Sequence, residues 1–261
     1  MENKFIKESK EAIEKLVDDW KVYHKPVLSN YYGLEEGYEY DYHMSDRFVI
    51  IRKKEGDFYR LYVLTTDLAD VSIQLTNLTG KDYVINIPSR KPIDDWDVLL
   101  QKCGFDYYET YSRICNPKVA TMKKRQTAIE EYAKPSDVDD IISLLSENFS
   151  LYTAHLPRRD RMLELIEEKQ IYVDRYPDGK VCGVNIFNIK APVGYGIAWI
   201  DKGEHGLDLQ LNMFNNFINN GVKRLVGWVR DSNTKVVKTH LRMGAIFDGL
   251  KDYTYTKLTN R

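Results

Sequence analysis

The stretch Asp231–Ala245, "DSNTKVVKTHLRMGA", decides how the second half of this sequence is interpreted. It predicts a short helix, because Ser232 or Asn233 can cap its start and Gly244 suits the left-handed position that ends a helix. One residue on this helix, His240, has two interpretations. It is either a histidine on the surface of an amphipathic helix or a residue that carries chemistry, and the elements around the stretch bear on that choice.

Strands and helices alternate around this stretch. From residue 121 onward the pattern predicts a strand at 127–134, two helices, a hairpin that turns at Pro177–Gly179, another strand and a helix. A strand at 222–230 follows, with Trp228 predicted in the core, and one or two strands come after the helix described above. This order predicts an α/β class with a mixed α+β sheet.

The first half repeats parts of this order. It begins with a helix, continues with a hairpin at Glu55–Asp57, and then alternates helix, strand, helix and strand. A helix that ends in glycine and a strand rich in tyrosine and threonine occur at 99–114 and again at 240–257. The recurrence indicates a duplicated α/β unit with one copy shortened. Because a polar connection near residue 118 interrupts the periodicity, we predict two domains, 1–118 and 119–261.

Four residues of the second half have a spacing that recurs in one family: Asn233, Val236, His240 and Gly244. With the order of elements around them, they resemble the GNAT superfamily of acyl-CoA-dependent N-acyltransferases, in which a tyrosine commonly stands at the position of His240. The resemblance covers the second half nearly end to end. The first half resembles a trimmed copy, without the strand and glycine-rich loop that precede the cofactor-binding helix. The resemblance therefore implies a GNAT-like C-terminal domain and a smaller, truncated GNAT-like N-terminal domain.

The resemblance also implies a reaction. Acyl transfer from a thioester to an amine needs a deprotonated amine, donors for the oxyanion and a proton for the departing thiolate. It places His240 as the acid for the thiolate and a backbone N–H near Trp199 or Ile200 as the oxyanion donor. Asp201, at the end of the same strand, is a candidate for the base. The implied cosubstrate is acetyl-CoA or another acyl-CoA, and no metal is implied.

The segment "KGEHGLD", Lys202–Asp208, corresponds to the loop that holds the pyrophosphate of CoA at the start of a helix. It departs from the family's usual form, because Glu204 and Asp208 place negative charge beside a phosphate site. Lys202 and His205 offset that charge if they face the ligand. The residues that the resemblance assigns to cofactor binding are Trp199, Ile200, Lys202, Gly203, His205, Gly206, Leu207 and Asn233.

Composition and motifs exclude several classes of function. Lys and Arg number 38 and Asp and Glu number 39, so no net field steers the chain to nucleic acid or to a membrane surface. No apolar run has the length of a membrane span, and the N-terminal helix, predicted over 4–23, lacks the apolar core of a signal peptide. With three widely spaced cysteines and no metal-binding motif, the sequence predicts a reduced, cytoplasmic protein.

From these observations we expect an N-acetyltransferase of GNAT type, which moves an acyl group from acyl-CoA to the amine of a small molecule or peptide. One alternative is a non-catalytic binding or regulatory protein that keeps the fold but has lost the CoA loop. Another is a related transferase that takes its acyl group from an aminoacyl-tRNA. The sequence leaves open whether the chain is a monomer or a homodimer.

Overall fold

The chain divides into two units, each built on its own group of paired strands with helices packed against both faces. The computed structural model describes residues 4–153 and 155–259. The first unit consists of residues 4–110 and 250–259, and the second of residues 111–153 and 155–249. The division into domains 1–118 and 119–261 stays a prediction. The last described residues, from Leu250 onward, belong to the first unit.

In the first unit, strands and helices alternate along the chain until the strand that leads into the second unit. Its elements are β1 (Ile6–Glu8), α1 (Lys10–Tyr23), β2 (Leu28–Ser29), β3 (Tyr40–Met44), β4 (Phe48–Glu55), β5 (Phe58–Thr65), α2 (Ala69–Thr76), β6 (Asp82–Ser89), α3 (Asp94–Lys102) and the start of β7 (Asp106–Asn116). The end of β12 (Ile246–Lys257) completes it.

The strands of the first unit are ordered β1-β3-β4-β5-β6-β12, with β5 and β6 parallel. Because side chains alternate between the faces of a strand, successive residues of β4 belong to different cores. Ile50 packs with the side chains of α2 and α3, whereas Val49 and Ile51 pack with those of α1. The continuous apolar run Phe48–Ile51 is therefore that of a strand buried on both faces of its sheet.

The parallel strands β5 and β6 are joined at one end and separated at the other. Their pairing covers Phe58–Leu61 and Asp82–Ile85. Beyond it, β2 pairs antiparallel with the end of β5, where Leu28 lies opposite Thr65. The opening between the two parallel strands is thus occupied by a segment of the chain itself.

Asn30, the residue after β2, forms hydrogen bonds with both strands that border this opening. Its buried side chain donates from Nδ2 to the carbonyl oxygens of Leu61 and Asn86, both at 2.9 Å. Its Oδ1 accepts a hydrogen bond of 2.6 Å from the N–H of Val63. One side-chain amide therefore satisfies three backbone groups that the separated strands cannot satisfy with each other.

The second unit follows the same alternation and ends where β12 begins. After β7 and two short 3-10 helices, Val119–Thr121 and Pro135–Asp137, come α4 (Val138–Asn148), α5 (Arg159–Glu167), β8 (Ile171–Arg175), β9 (Val181–Lys190), β10 (Val193–Asp201), α6 (Gly206–Asn219), β11 (Arg224–Arg230) and α7 (Thr234–Arg242).

The strands of the second unit are ordered β7-β11-β10-β9-β8. β10 and β11 run parallel, and the other neighbours run antiparallel. Val184 and Ile186 pack with α4 and α5 on one face, while Phe187 packs with α6 on the other. The predicted α/β class with a mixed sheet is confirmed, and so are the hairpins at Glu55–Asp57 and Pro177–Gly179.

Three details of the sequence-based prediction are wrong. The first helix begins at Lys10 rather than at residue 4, because the Ser9 hydroxyl caps it and residues 6–8 form β1. The strand predicted at 127–134 is reduced to a single bridge beside β8, since Pro135 follows and cannot continue a ladder. The strand predicted to be missing from the first half is present as β5, before α2. The elements β5, α2 and β6 repeat the order of β10, α6 and β11.

We expect Asn30→Ala to lower the free energy of unfolding by about 3 kcal/mol, because three backbone groups lose a buried hydrogen-bond partner. Asn77→Ala, at an exposed position in the same unit, is the matched control and is expected to change it by less than about 0.5 kcal/mol. Urea unfolding of both variants and the parent chain measures the difference. Equal stability of the two variants would show that the Asn30 amide does not hold the strands.

Candidate active site

The parallel strands β10 and β11 separate early. Their pairing covers Val193–Tyr195 and Arg224–Val226, although both strands continue for several residues. Beyond those positions β10 pairs with β9 and β11 pairs with β7. A shift of register in β10 between Gly196 and Ala198 accompanies the separation. The inner edges of both strands therefore face an opening between them.

A cavity of about 270 Å³ lies in this opening. β10 lines it with residues 196–200 and β11 with residues 227–230. Helices α4, α6 and α7 and strands β7 and β9 surround the rest. The remaining lining residues are Tyr111, Ile114, Asn148, Phe149, Asn185, Gln210, Met213, Leu225, Asn233, Val236 and His240.

Three buried polar atoms on the wall of the cavity lack a hydrogen-bond partner within the described part of the chain. They are Nε1 of Trp199, Oε1 of Gln210 and Nδ1 of His240. Buried polar groups in native proteins are nearly always bonded, so an ordered water or a ligand is the partner expected for each of these atoms. The indole N–H donates and the amide oxygen accepts, so a ligand that offers both an acceptor and a donor satisfies them.

His240 lies on α7 and turns its ring toward β10. The ring centroid is 6.1 Å from that of Trp199, and the two rings meet edge to face. Burial lowers the pKa of His240 below its ordinary value of 6.5. The imidazole is therefore predominantly neutral at pH 7, and a neutral imidazole can accept a proton as well as donate one.

The geometry of α7 is the one that the opening stretch of sequence predicts. Asn233 caps its start, because Oδ1 accepts from the N–H of Val236 at 3.2 Å. At its end Gly244 takes a φ of 89°, and the N–H of Ala245 donates to the carbonyl oxygen of His240. A glycine at this left-handed position turns the chain into β12 without strain.

Asp201, at the end of β10, is held by the loop that follows it. Its Oδ1 accepts from the N–H of Gly203 at 3.0 Å, and its Oδ2 accepts from the N–H of Gly206 at 2.9 Å. Gly206 is the first residue of α6. The carboxylate thus lies at the positive end of this helix, where an anion is stabilised by the helix dipole.

The two glycines of this loop make that arrangement fit. A Cβ atom on Gly206 would lie 2.7 Å from Asp201 Oδ2, and one on Gly203 would lie 2.5 Å from Oδ2 of the buried Asp174. Cys182 is next to them, and its pKa is raised to about 11 by burial and by the charges of Asp174 and Asp201. The glycines are therefore needed for close approach to carboxylates of the chain itself.

The two cationic candidates of the loop are each paired with an acid. Lys202 Nζ lies 2.7 Å from Glu147 Oε2 and holds the pKa of Glu147 below its ordinary value. His205 Nδ1 lies 3.2 Å from Asp208 Oδ2. These exposed pairs contribute little to stability, yet they direct both groups toward acids of the protein.

The predicted site residues fall into two groups. The structure places Trp199, Ile200, Asn233 and His240 together on the wall of the cavity. The others, Asp201, Lys202, Gly203, His205, Gly206 and Leu207, belong to the end of β10 and the start of α6, outside that wall. Their assigned roles in catalysis and cofactor binding stay predictions.

Among the cavity residues that sequence analysis missed are Trp228 and Gln210. The prediction that Trp228 lies in the core is wrong. Its side chain is 42% exposed and lines the cavity, because the buried positions of β11 are its neighbours Gly227 and Val229. Gln210 is 2% exposed. The spacing of Gln210 to Met213 and Phe217 on α6 is the signal for it, since a glutamine at i, i+3 and i+7 with apolar residues faces inward.

The described ranges, 4–153 and 155–259, contain no cluster of three or more His, Cys, Asp or Glu side chains arranged to hold a metal ion. In the same ranges, every helix is too short or too polar to cross a lipid bilayer.

No protein-family model and no curated protein matches this sequence, but solved structures match it in fold. An acetyltransferase of the GNAT family from Colwellia psychrerythraea has a TM-score of 0.58 at 11% identity, over 98% of this chain and 99% of its own. A tandem GNAT protein from the clavulanic acid biosynthesis pathway has 0.58 at 9% identity, over 99% of both chains.

A GCN5-related N-acetyltransferase from Sphaerobacter thermophilus has a TM-score of 0.55 at 12% identity, over 94% of this chain and 84% of its own. At such identities the likeness is one of fold. The chain therefore has the GNAT fold over nearly its whole length, which confirms the resemblance inferred from the sequence.

The lowered pKa of His240 gives a prediction for stability. Between the folded pKa and 6.5 the unfolded chain binds a proton that the folded chain resists, so stability falls as the pH falls through this range. We expect His240→Gln to lose less stability than the parent chain between pH 7.5 and 5.5. Urea unfolding at both values measures it, and an equal loss in the two proteins would contradict the burial of a neutral imidazole.

Proposed function

We propose that this chain is an N-acyltransferase that moves an acyl group from the pantetheine thioester of acyl-CoA to the amine of a small molecule or peptide. The observation that carries the proposal is the cavity between β10 and β11, set in a GNAT fold and walled by unpartnered polar atoms. A pantetheine arm is extended and carries amide groups. The arm therefore offers hydrogen-bond donors and acceptors. These can bond to the backbone groups of the separated strands and to the three unpartnered side-chain atoms.

The first unit of the same chain supports this interpretation by analogy. There the opening between β5 and β6 is filled by β2 and the amide of Asn30. The backbone groups that bind Asn30 belong to the last paired residue of β5, to the residue two places beyond it, and to the residue one place beyond the last paired residue of β6. The residues at the same places in β10 and β11 are Tyr195, Ile197 and Gly227. Because no described strand pairs at those positions as β2 pairs with β5, an amide of the donor arm would take the place of Asn30.

The chemistry follows from the residues around the cavity. The amine attacks the thioester carbonyl, a C–N bond forms, and the C–S bond breaks as the thiolate leaves. We assign the oxyanion to a backbone N–H of Trp199 or Ile200, next to the register shift of β10. The low-dielectric surroundings of the cavity would make such a bond stronger than it is in water.

His240 is our candidate for the proton transfers. In its neutral form it can take the proton that the amine loses on attack and return it to the thiolate, so that amide and free thiol are formed without net change in the enzyme. Asp201 is the other candidate for the base. Its two oxygens are already engaged by the N–H groups of Gly203 and Gly206, which favours His240 for this role.

The contacts of Asp201 also favour a second candidate function. A chain whose own carboxylate occupies the start of α6 lacks an open anion site there. That is the behaviour expected of a non-catalytic GNAT-fold protein that binds a ligand in its cavity without transferring a group. Binding and turnover have to be measured separately to distinguish the two functions.

Acetyl-CoA at about one hundred times its Kd is expected to raise the melting temperature by about 5–10 °C, because it binds only the folded chain. In the presence of amine acceptors, the enzyme is expected to release free CoA thiol, measured with a thiol reagent. A thermal shift without thiol release across a broad acceptor panel would favour the non-catalytic candidate. No shift by acetyl-CoA or pantetheine thioesters would rule out the proposed function.

Loss of the imidazole is expected to slow turnover rather than binding. His240→Gln should lower kcat by about a hundredfold or more, the usual contribution of a general acid or base, with KM for the donor within threefold. In the parent enzyme, kcat/KM should rise with pH as the imidazole becomes neutral, and this rise should vanish in the variant. Lys238→Gln, an exposed position on α7, is the control. Equal rates for the two variants would remove His240 from the mechanism.

A further inference from the structure

The start of α6 is the place where the GNAT resemblance puts the pyrophosphate of CoA, and in this chain an anion already occupies it. The carboxylate of Asp201 accepts the N–H of Gly203 at 3.0 Å and that of Gly206 at 2.9 Å. A backbone N–H that donates to this carboxylate is directed at the end of β10 and is not free to bind a phosphate.

The surroundings of this carboxylate disfavour a second anion. A methyl group on Gly203 would lie 2.5 Å from Asp174 Oδ2 and 3.4 Å from Asp201 Oδ1, so two carboxylates border the same residue. Their charges contribute to the raised pKa of Cys182. A diphosphate brought to this loop would meet the same negative field and would be repelled.

The cations of the loop do not reverse that field. Lys202 lies 2.7 Å from Glu147 and His205 lies 3.2 Å from Asp208, so each positive or protonatable group has an acid beside it. Glu204, between them, is exposed and adds another carboxylate. Two backbone amides of the loop are therefore engaged by Asp201, and its cationic side chains are paired with acids, which disfavours a diphosphate there.

The cavity between β10 and β11 is a separate place, and within residues 4–153 and 155–259 no carboxylate or strand fills it as Asp201 and β2 fill the other two places. Its wall includes the unpartnered atoms of Trp199, Gln210 and His240, none of which belongs to the loop. A ligand can therefore be held there through its amide-bearing arm even when its phosphates are not held at α6. The two halves of a CoA molecule would be treated differently by this protein.

We propose that the acyl donor is recognised through its pantetheine thioester arm alone, with Asp201 standing in the place of the diphosphate. The donor class is thus the pantetheine thioesters, whether the arm is carried by a nucleotide, as in acyl-CoA, or by a carrier protein. This proposal rests on the proposed function, since it names the donor of that same site. Asp201 is a specificity-determining residue in it.

The test compares acetyl-CoA with S-acetylpantetheine, which lacks the nucleotide. The dissociation constants of the two for the full-length protein, measured by titration calorimetry, are expected to differ by less than fivefold. Acetyl-CoA binding five times more tightly or better would overturn the proposal while leaving the proposed function intact. Failure of both compounds to bind would instead contradict the proposed function itself.

Substitutions of two acids in the loop region test whether Asp201 is the residue that sets the preference between the two donors. Asp201→Ser frees the N–H groups of Gly203 and Gly206 and is expected to increase the preference for acetyl-CoA over S-acetylpantetheine by at least fivefold. Asp208→Ser removes a charge of the same sign and releases His205 without freeing those groups, so it is expected to increase the preference by less than half as much. Equal changes in the two variants would overturn the assignment to Asp201. If Asp201→Ser does not fold, the comparison of donors in the parent chain still decides the proposal.

An acetylated carrier protein is the third donor tested. It shows whether pantetheine carried by a protein is accepted as well as pantetheine carried by a nucleotide. With the arm as the recognised group, transfer from the carrier protein is expected at a kcat/KM no lower than one fifth of that for acetyl-CoA. A value a hundredfold lower, with S-acetylpantetheine still accepted, would restrict the donors to small molecules and overturn the carrier-protein part of the proposal.

Discussion

The early separation of β10 and β11 is the constraint on which the candidate site depends. Two parallel strands that stop pairing after Tyr195 and Val226 leave backbone groups that need other partners. β9 and β7 hold the outer edges of the two strands, so the opening cannot close by a shift of either strand. The cavity, the orphan atoms of Trp199 and Gln210, and the position of His240 all follow from this one feature of the sheet.

Three places in this chain present backbone groups that need hydrogen-bond partners: the gap between β5 and β6, the start of α6, and the gap between β10 and β11. In the first two, a side chain of the protein supplies the partner. In the first unit, Asn30 supplies an amide to the gap between β5 and β6. At the start of α6, Asp201 supplies a carboxylate. The gap between β10 and β11 is the third place, and there the polar atoms on the wall have no such partner among residues 111–153 and 155–249. The contrast indicates which of the three is suited to a ligand.

Much of the fold was predictable, because burial on both faces of a sheet and on one face of a helix leaves a periodic pattern in the sequence. The caps of α7 at Asn233 and Gly244 could be read directly, since capping depends on neighbours along the chain. The first helix was placed too early, because Phe5 and Ile6 extend the helical pattern of apolar residues across Ser9. The exposure of Trp228 was missed because aromatic residues in strands are usually buried.

The sequence by itself determined the α/β class, the duplicated order of elements and the presence of a histidine near the end of α7. Only the tertiary structure decided where the candidate site residues lie. It brought Trp199, Gln210 and His240 to one cavity from three elements, and it turned Asp201 from the cavity toward the loop. Periodicity and capping are local, whereas the direction of a carboxylate and the parting of two strands depend on contacts between residues distant in sequence.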